Sequence, residues 1–220
     1  MKTSKTCIAA AALALAVFAA PLGHAAGTIV LDENFNNVAN LPNWLMSNNS
    51  SPQGLSWFQG NDGVFPAQAG MPGSYIAANY LSAAQEPGSI DNWLITPELT
   101  LGGATYLSFY TRSDAVPGLN DMLEVRFSSG AGTDTAGFTT LLTTIGGPSA
   151  YPDTWQLITA SLTSPGDSGR FAFRYVGDAA MANYIGIDSV TVTAVPEPAA
   201  WIMLGLGLAV LVPLRRTTRS

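Results

Sequence analysis

The chain has 220 residues, 11% of them charged and 47% hydrophobic, with 22 Gly and 14 Pro. That length holds one ordinary domain with tails. The scarcity of charge excludes a coiled coil and an acidic disordered tail, and the formal charge of −6 excludes a basic nucleic-acid binder.

Residues 1–26 read as a secretory signal peptide. Lys2 and Lys5 form a positive start, Ile8 to Ala20 is an unbroken apolar run, and Pro21 ends its helix. Gly23-His24-Ala25 then brings small residues to the positions that a signal peptidase inspects. The run falls short of the roughly 20 residues that a bilayer span needs. Cys7 precedes the run and is not placed for lipidation.

From Gly27 to Ala194 the apolar pattern has a period of two, the signature of half-buried strands. Leu107, Phe109 and Thr111 alternate with Tyr106, Ser108, Tyr110 and Arg112. Leu123, Val125 and Phe127 alternate with Glu124 and Arg126, and Phe171, Phe173 and Tyr175 with Arg170, Ala172 and Arg174. Further strands are expected over 28–33, 55–59, 75–80, 92–96, 138–145, 155–161 and 184–193. Gly, Pro, Asn and Asp clusters such as Gly146-Gly147-Pro148 punctuate them. About ten short strands with no amphipathic helix predict an all-β, jelly-roll-like antiparallel β-sandwich. An N-terminal signal helix and a C-terminal hydrophobic helix flank it.

The last of these strands changes parity. Ile185 and Ile187 share one face, whereas Val190 and Val192 have the opposite parity. A bulge at Asp188-Ser189 would return both pairs to the core and re-aim the Asp188 carboxylate. A carboxylate turned in beside a core strand needs a partner, and a cation would supply one.

Residues 195–220 end the chain. Pro196, Glu197 and Pro198 precede an apolar run from Ala199 to Leu214, followed by Arg215, Arg216 and Arg219. Its sixteen residues rise about 24 Å, less than the hydrocarbon core of about 30 Å, so the helix makes a poor permanent anchor. The arginines favour a cytoplasmic end. Val195 to Arg219 resembles the PEP-CTERM sorting signal of Gram-negative bacteria. The resemblance implies an inner-membrane intermediate held by this short transmembrane helix. An exosortase then acts on it, and the protein is delivered to the cell surface or extracellular matrix.

The domain between the two ends lacks most catalytic groups. It holds fourteen acidic residues against four arginines, Arg112, Arg126, Arg170 and Arg174, and no Lys. The only Cys and the only His, Cys7 and His24, fall in the signal peptide. A Ser-His-Asp triad, a Cys-His dyad, a His-ligated zinc and a Lys Schiff base therefore all lack a member. The acidic surface also disfavours nucleic acid. A carboxylate-based glycoside hydrolase survives as the enzyme alternative, but Glu98 at a strand end and Glu124 on an outward face advertise no cleft. The expectation is a protein that is not an enzyme.

Asp91-Asn92-Trp93-Leu94-Ile95-Thr96-Pro97 is similar to a heptapeptide of choice-of-anchor J domains and the related cleaved-adhesin domains. The likeness takes in Leu31-Asp32-Glu33-Asn34-Phe35, Leu41-Pro42-Asn43-Trp44, Thr154-Trp155-Gln156, Phe171 to Tyr175 and Ile187-Asp188-Ser189-Val190. It implies a surface-associated, structural or adhesive jelly roll, with structural calcium in the adhesin relatives. Calcium takes six to eight hard oxygen ligands. Asp32 or Glu33 on the first strand could join Asp188 on the last, with Asp91 as a third ligand or part of a separate site. Asp121 and Asp62-Gly63 read as turn residues. Trp93 and Trp155 read as core. Trp44 and Trp57 flank an Asn/Ser/Gly-rich stretch and are candidates for stacking on a sugar, which gives the alternative function of a carbohydrate-binding module for exopolysaccharide.

Overall fold

The structure, a computed structural model, describes residues 26–163 and 165–195. The expected signal peptide up to Ala25, the expected C-terminal hydrophobic helix and the expected sorting residues Pro196, Glu197, Pro198, Arg215 and Arg216 lie outside the described residues. Among the described residues no helix is long and apolar enough to cross a membrane.

Twelve strands carry the described chain. They are β1 (Thr28–Glu33), β2 (Leu45–Asn48), β3 (Phe58–Gln59), β4 (Ile76–Asn79), β5 (Ser89–Ile95) and β6 (Leu99–Thr100), then β7 (Ala104–Ser113), β8 (Met122–Ser129), β9 (Thr140–Gly146), β10 (Gln156–Leu162), β11 (Ser168–Asp178) and β12 (Tyr184–Val195). The helical content among the described residues is four three-residue 3-10 turns. One sheet runs β10-β7-β12-β4-β3, with β1 added to β12. The other runs β2-β5-β11-β8-β9, with β6 added to β11. All pairings are antiparallel. We call these the first and second sheets; together they make the expected jelly-roll-like sandwich.

Alternation builds the core between the sheets. Leu107 and Phe109 of β7 face Phe171, Phe173 and Tyr175 of β11, and all five are buried. Phe109 meets Phe173 edge to face at 4.9 Å. Each such side chain contributes about 1.5–3 kcal/mol on burial, so Phe173→Ala would cost about 3–5 kcal/mol.

The expected bulge is present. The register of β12 against β7 shifts between Asp188 and Thr191, and Ser189 takes a φ of 52°. Ile185, Ile187, Val190 and Val192 are consequently all buried. Asp188 turns to the outer face of the first sheet.

Two differences from the sequence reading concern the same region. The expected strand at 55–59 shrinks to β3, because the backbone N–H groups of Gly54 and Leu55 go instead to the carbonyls of Ser82 and Leu81. The short strands β2 and β6, which no alternation announced, pair with β5 and β11.

Each sheet also carries an apolar cluster on its outer face. Over the first sheet, the segment between β3 and β4 folds back so that Phe65 and Tyr75 pack with Tyr184 and Trp155. Over the second, Phe138 caps Trp93, Ile95 and Ala172. These clusters leave a different part of each outer face open.

Candidate functional site

Asp188 is fully buried. One carboxylate oxygen accepts from the backbone N–H of Gln68 at 2.9 Å and of Ala69 at 3.1 Å, and the other from Ser189 N–H at 2.6 Å. The acid thus clasps the outer segment to β12. Burial still pushes its carboxyl above the usual range, although these donors oppose the shift. Glu33 pairs with Val190 beside the same bulge, is half-buried, and accepts from Phe35 N–H at 2.7 Å. Asp32 points the other way and is exposed.

Asp91 does not join them. It lies on the outer face of the second sheet, where Arg174 Nε reaches it at 2.6 Å and Trp93 Nε1 donates to it at 2.7 Å. The four-acid set Asp32, Glu33, Asp91 and Asp188 is therefore not one site, because two sheets separate its members. Among the described residues no three acids, His or Cys form a metal-binding group. An ion at the bulge would draw on Asp188, with amide and backbone oxygens completing its shell.

Around Asp91 the second sheet carries a charge-balanced groove. Arg174 also reaches Glu124 at 3.0 Å, and Arg126 pairs with the same Glu124 at 2.7 Å. Arg174 sits 5.0 Å over the Trp93 ring, and Arg126 donates to the Phe138 carbonyl. Burial alone would raise the Glu124 carboxyl, but hydrogen bonds and charge from the two arginines hold it below the usual range. The shift is opposite to the one a glycosidase general acid requires. The groove holds about 350 Å³ and is lined by Asp91, Trp93, Arg126, Phe138, Thr139 and Arg174. Alternation placed these side chains outward, but nothing local in the sequence announced that β5, β8 and β11 would bring them together.

Trp44 and Trp57 are not available as stacking rings. They are 8% and 4% exposed, and Trp44 packs edge to face on Phe35 at 5.3 Å. Large aromatic surface in a small domain goes to the core first. Trp93 and Trp155 sit instead in the two outer clusters. The accessible aromatics are tyrosines: Tyr106 is 52% exposed on β7, with Tyr110 two outward positions along. Across the strands the register sets Thr159, Ser108 and Thr191 in one row and Ser161, Tyr106 and Thr193 in the next. This open part of the first sheet is an uncharged, hydroxyl-rich face bordered by Asp32.

Asp121, expected as a turn residue, is 3% exposed. It accepts from Tyr175 Oη and from Asn183 N–H at 2.8 Å. Burial is the main cause that raises its carboxyl, against those two bonds. Its burial by β11 and the segment before β12 is invisible locally. A cavity of about 100 Å³, lined in part by Asp114, Asn120 and Tyr151, adjoins it.

Residues 28–192 match the family described as Cleaved Adhesin Domain. Two solved structures are similar to the chain, both from Lys-gingipain of Porphyromonas gingivalis W83. Its K1 cleaved adhesin domain is 26% identical with a TM-score of 0.59, over 76% of this chain and 99% of that one. Its K3 cleaved adhesin domain is 24% identical with a TM-score of 0.58, over 77% and 99%. No curated protein matches the chain.

Proposed function

Because the chain belongs to the cleaved adhesin domain family, we propose that it is an exported, non-catalytic adhesive module that grips its ligand in the groove of the second sheet. The observation that carries the reading is the groove itself. Its two arginines and Asp91 offer donors and acceptors, Glu124 paired with both arginines balances the remaining charge, and buried Trp93 and Phe138 fix them in place. A preorganised polar surface of this kind favours recognition over proton transfer, since its acid is held ionised. The test is retention of protein-coated beads on cells of the producing strain. Arg126→Ala should lower retention about tenfold, the loss of about 1.4 kcal/mol that one charged hydrogen-bonding group supplies, without changing the circular dichroism. Undiminished retention removes the groove from the function.

Delivery follows from the two ends. Signal peptidase releases residues 1–26, the C-terminal helix holds an inner-membrane intermediate, and an exosortase acts at Pro196-Glu197-Pro198. The module then stays at the surface or in the matrix of a Gram-negative bacterium. Within the family the choice-of-anchor J group fits this plan, as its heptapeptide at Asp91 to Pro97 supports. Calcium is a structural ion of this reading, held by Asp188 with Asp32 or Glu33 of the first strand. Burial raises the Asp188 carboxyl despite its donors, and a cation there would favour the ionised form. A chelator should lower the melting temperature and calcium restore it; an unmoved melting temperature removes the ion.

A second reading, a carbohydrate-binding module for exopolysaccharide, is favoured by one observation, the exposed Tyr106 and half-buried Tyr110 among Ser and Thr hydroxyls. Sugar rings stack on such tyrosines and the hydroxyls bond their edges. Saturable binding on a glycan array, lost in Tyr106→Ala, supports it; binding unaffected by that change refutes this face.

A further inference from the structure

Among the described residues the first sheet ends on β10, which pairs with β7 alone. Alternate residues along its seven therefore turn N–H and C=O groups away from the sheet, with no neighbouring strand among the described residues to receive them. Proteins guard such edges with lysine, proline, a bulge or a covering element.

β10 has no such guard in its own sequence. Gln156-Leu157-Ile158-Thr159-Ala160-Ser161-Leu162 contains no charge and no proline. Its register with β7 runs unbroken from Gln156 opposite Thr111 to Leu162 opposite Thr105. Gln156, Leu157, Thr159 and Ser161 are exposed. The other sheet edges differ: β3 and β6 have two residues each, β2 has four, β9 is interrupted by a register shift opposite Val125 and Arg126, and β1 has a register shift between Ile29 and Leu31 and ends on Asp32 and Glu33. Ile158 and Leu162 pack against the core from β10 yet stay only half-buried.

Charge selects the partner. The domain carries fourteen acids against four arginines, so two copies repel across most of their surfaces. Along β10, and along Tyr106, Ser108 and Tyr110 beside it, there is no acid to repel a second copy. We propose that β10 is a self-pairing edge, to which a second copy of this chain adds its own β10 in antiparallel fashion and joins two first sheets into one.

The side chains choose the register. With the two-fold axis at Ala160, Ile158 of one copy faces Leu162 of the other on the inner side, and Thr159 faces Ser161 on the outer side. Apolar meets apolar and hydroxyl meets hydroxyl, as self-complementary contacts require. An axis at Thr159 would set Leu157 against Ser161 and waste both pairs. This inference stands apart from the ligand groove, since it concerns the opposite sheet and is read by oligomeric state.

The test is sedimentation velocity of the exported protein, purified from its host, across a wide range of concentration. A reversible monomer–dimer equilibrium is expected. The double change Thr159→Lys, Ser161→Lys places like charges opposite each other and should raise the dimer Kd at least about tenfold, with circular dichroism and melting unchanged because both positions are exposed. Independently, Ala160→Cys in the exported protein, which has lost Cys7 with the signal peptide, should oxidise to a linked dimer, and Thr140→Cys at the start of β9 should not. A protein monomeric at every concentration, a dimer indifferent to the two lysines, or equal linking through Thr140→Cys would each overturn the proposal.

Discussion

A single hydrogen atom at position 186 decides whether the outer cluster of the first sheet can form. A Cβ on Gly186 would lie 2.9 Å from the Tyr75 ring, 3.0 Å from Phe65 and 3.0 Å from Trp155, tighter than van der Waals contact allows. Three large rings rest on that bare backbone, so the position needs glycine for space. We predict that Gly186→Val destabilises the fold by about 1–3 kcal/mol through overpacking, and that hydrogen exchange rises first in residues 60–75. Unchanged exchange there would show that the rings do not pack as described. Asp188, two residues on, holds the same segment by hydrogen bonds. Removing its carboxylate with Asp188→Ala strands the N–H groups of Gln68, Ala69 and Ser189, at a cost of about 1–3 kcal/mol for each buried donor left unpaired. Chemical denaturation in the presence of a chelator would measure it free of any bound ion.

Among the elements, β5, β8 and β11 meet through one guanidinium. Arg174 serves Asp91 and Glu124 together, and without it two carboxylates face each other across β11. Its side chain is about a quarter exposed, so solvent screening limits the effect; we expect Arg174→Ala to cost about 1–2 kcal/mol. A double-mutant cycle with Asp91→Ala checks whether the pair is coupled. Glu124 and Asp121 respond oppositely to pH. Glu124 is held low in the folded state, so its contribution is present above the ordinary carboxylate range and disappears as pH falls through its folded value. Asp121 is raised, so its contribution is present at low pH and disappears as pH rises through its folded value. Unfolding free energy measured from neutrality downward should therefore gain from Asp121, and from Asp188 whose carboxyl is likewise raised, before it loses from Glu124, and Asp121→Asn should reduce the gain to the part that Asp188 supplies. An identical pH profile in that variant would contradict the burial of the acid. The sequence reading could see that Glu124, Arg126 and Arg174 point outward, because period two is local. It could not see that Asp91 meets Arg174, since 83 residues separate them, nor that Asp121 is buried by strands distant in the chain.

At the scale of the whole molecule, the legible part was what repeated. Strands β7, β8, β11 and β12 alternate cleanly, and the parity change in β12 located the bulge before any coordinates. The poorly legible part was the stretch from Asn34 to Ser51 and the segment between β3 and β4, whose structure rests on side-chain caps and aromatic packing rather than on a period. The tryptophans show the same limit: loop-like surroundings suggested exposed rings at Trp44 and Trp57, whereas the core claims both. The ends of the sandwich carry the last prediction. Thr28 of β1 pairs with Ala194 of β12, so ordered structure begins and finishes side by side, immediately inside the two expected processing segments. Cutting after Ala26 and after Val195 removes no ladder pairing, whereas cutting after Glu33 removes β1 entirely and uncovers β12 from Val190 to Ala194. Buried Val190 and Val192 would then lose their flanking strand, and with them several backbone hydrogen bonds of about 1 kcal/mol each. A chain of residues 27–195 should accordingly melt within a degree or two of the exported protein, while one of residues 34–195 should not fold cooperatively. Thermal unfolding followed by near-ultraviolet circular dichroism distinguishes the two, and a destabilised 27–195 would mean that a segment taken here for a removable signal is part of the globule.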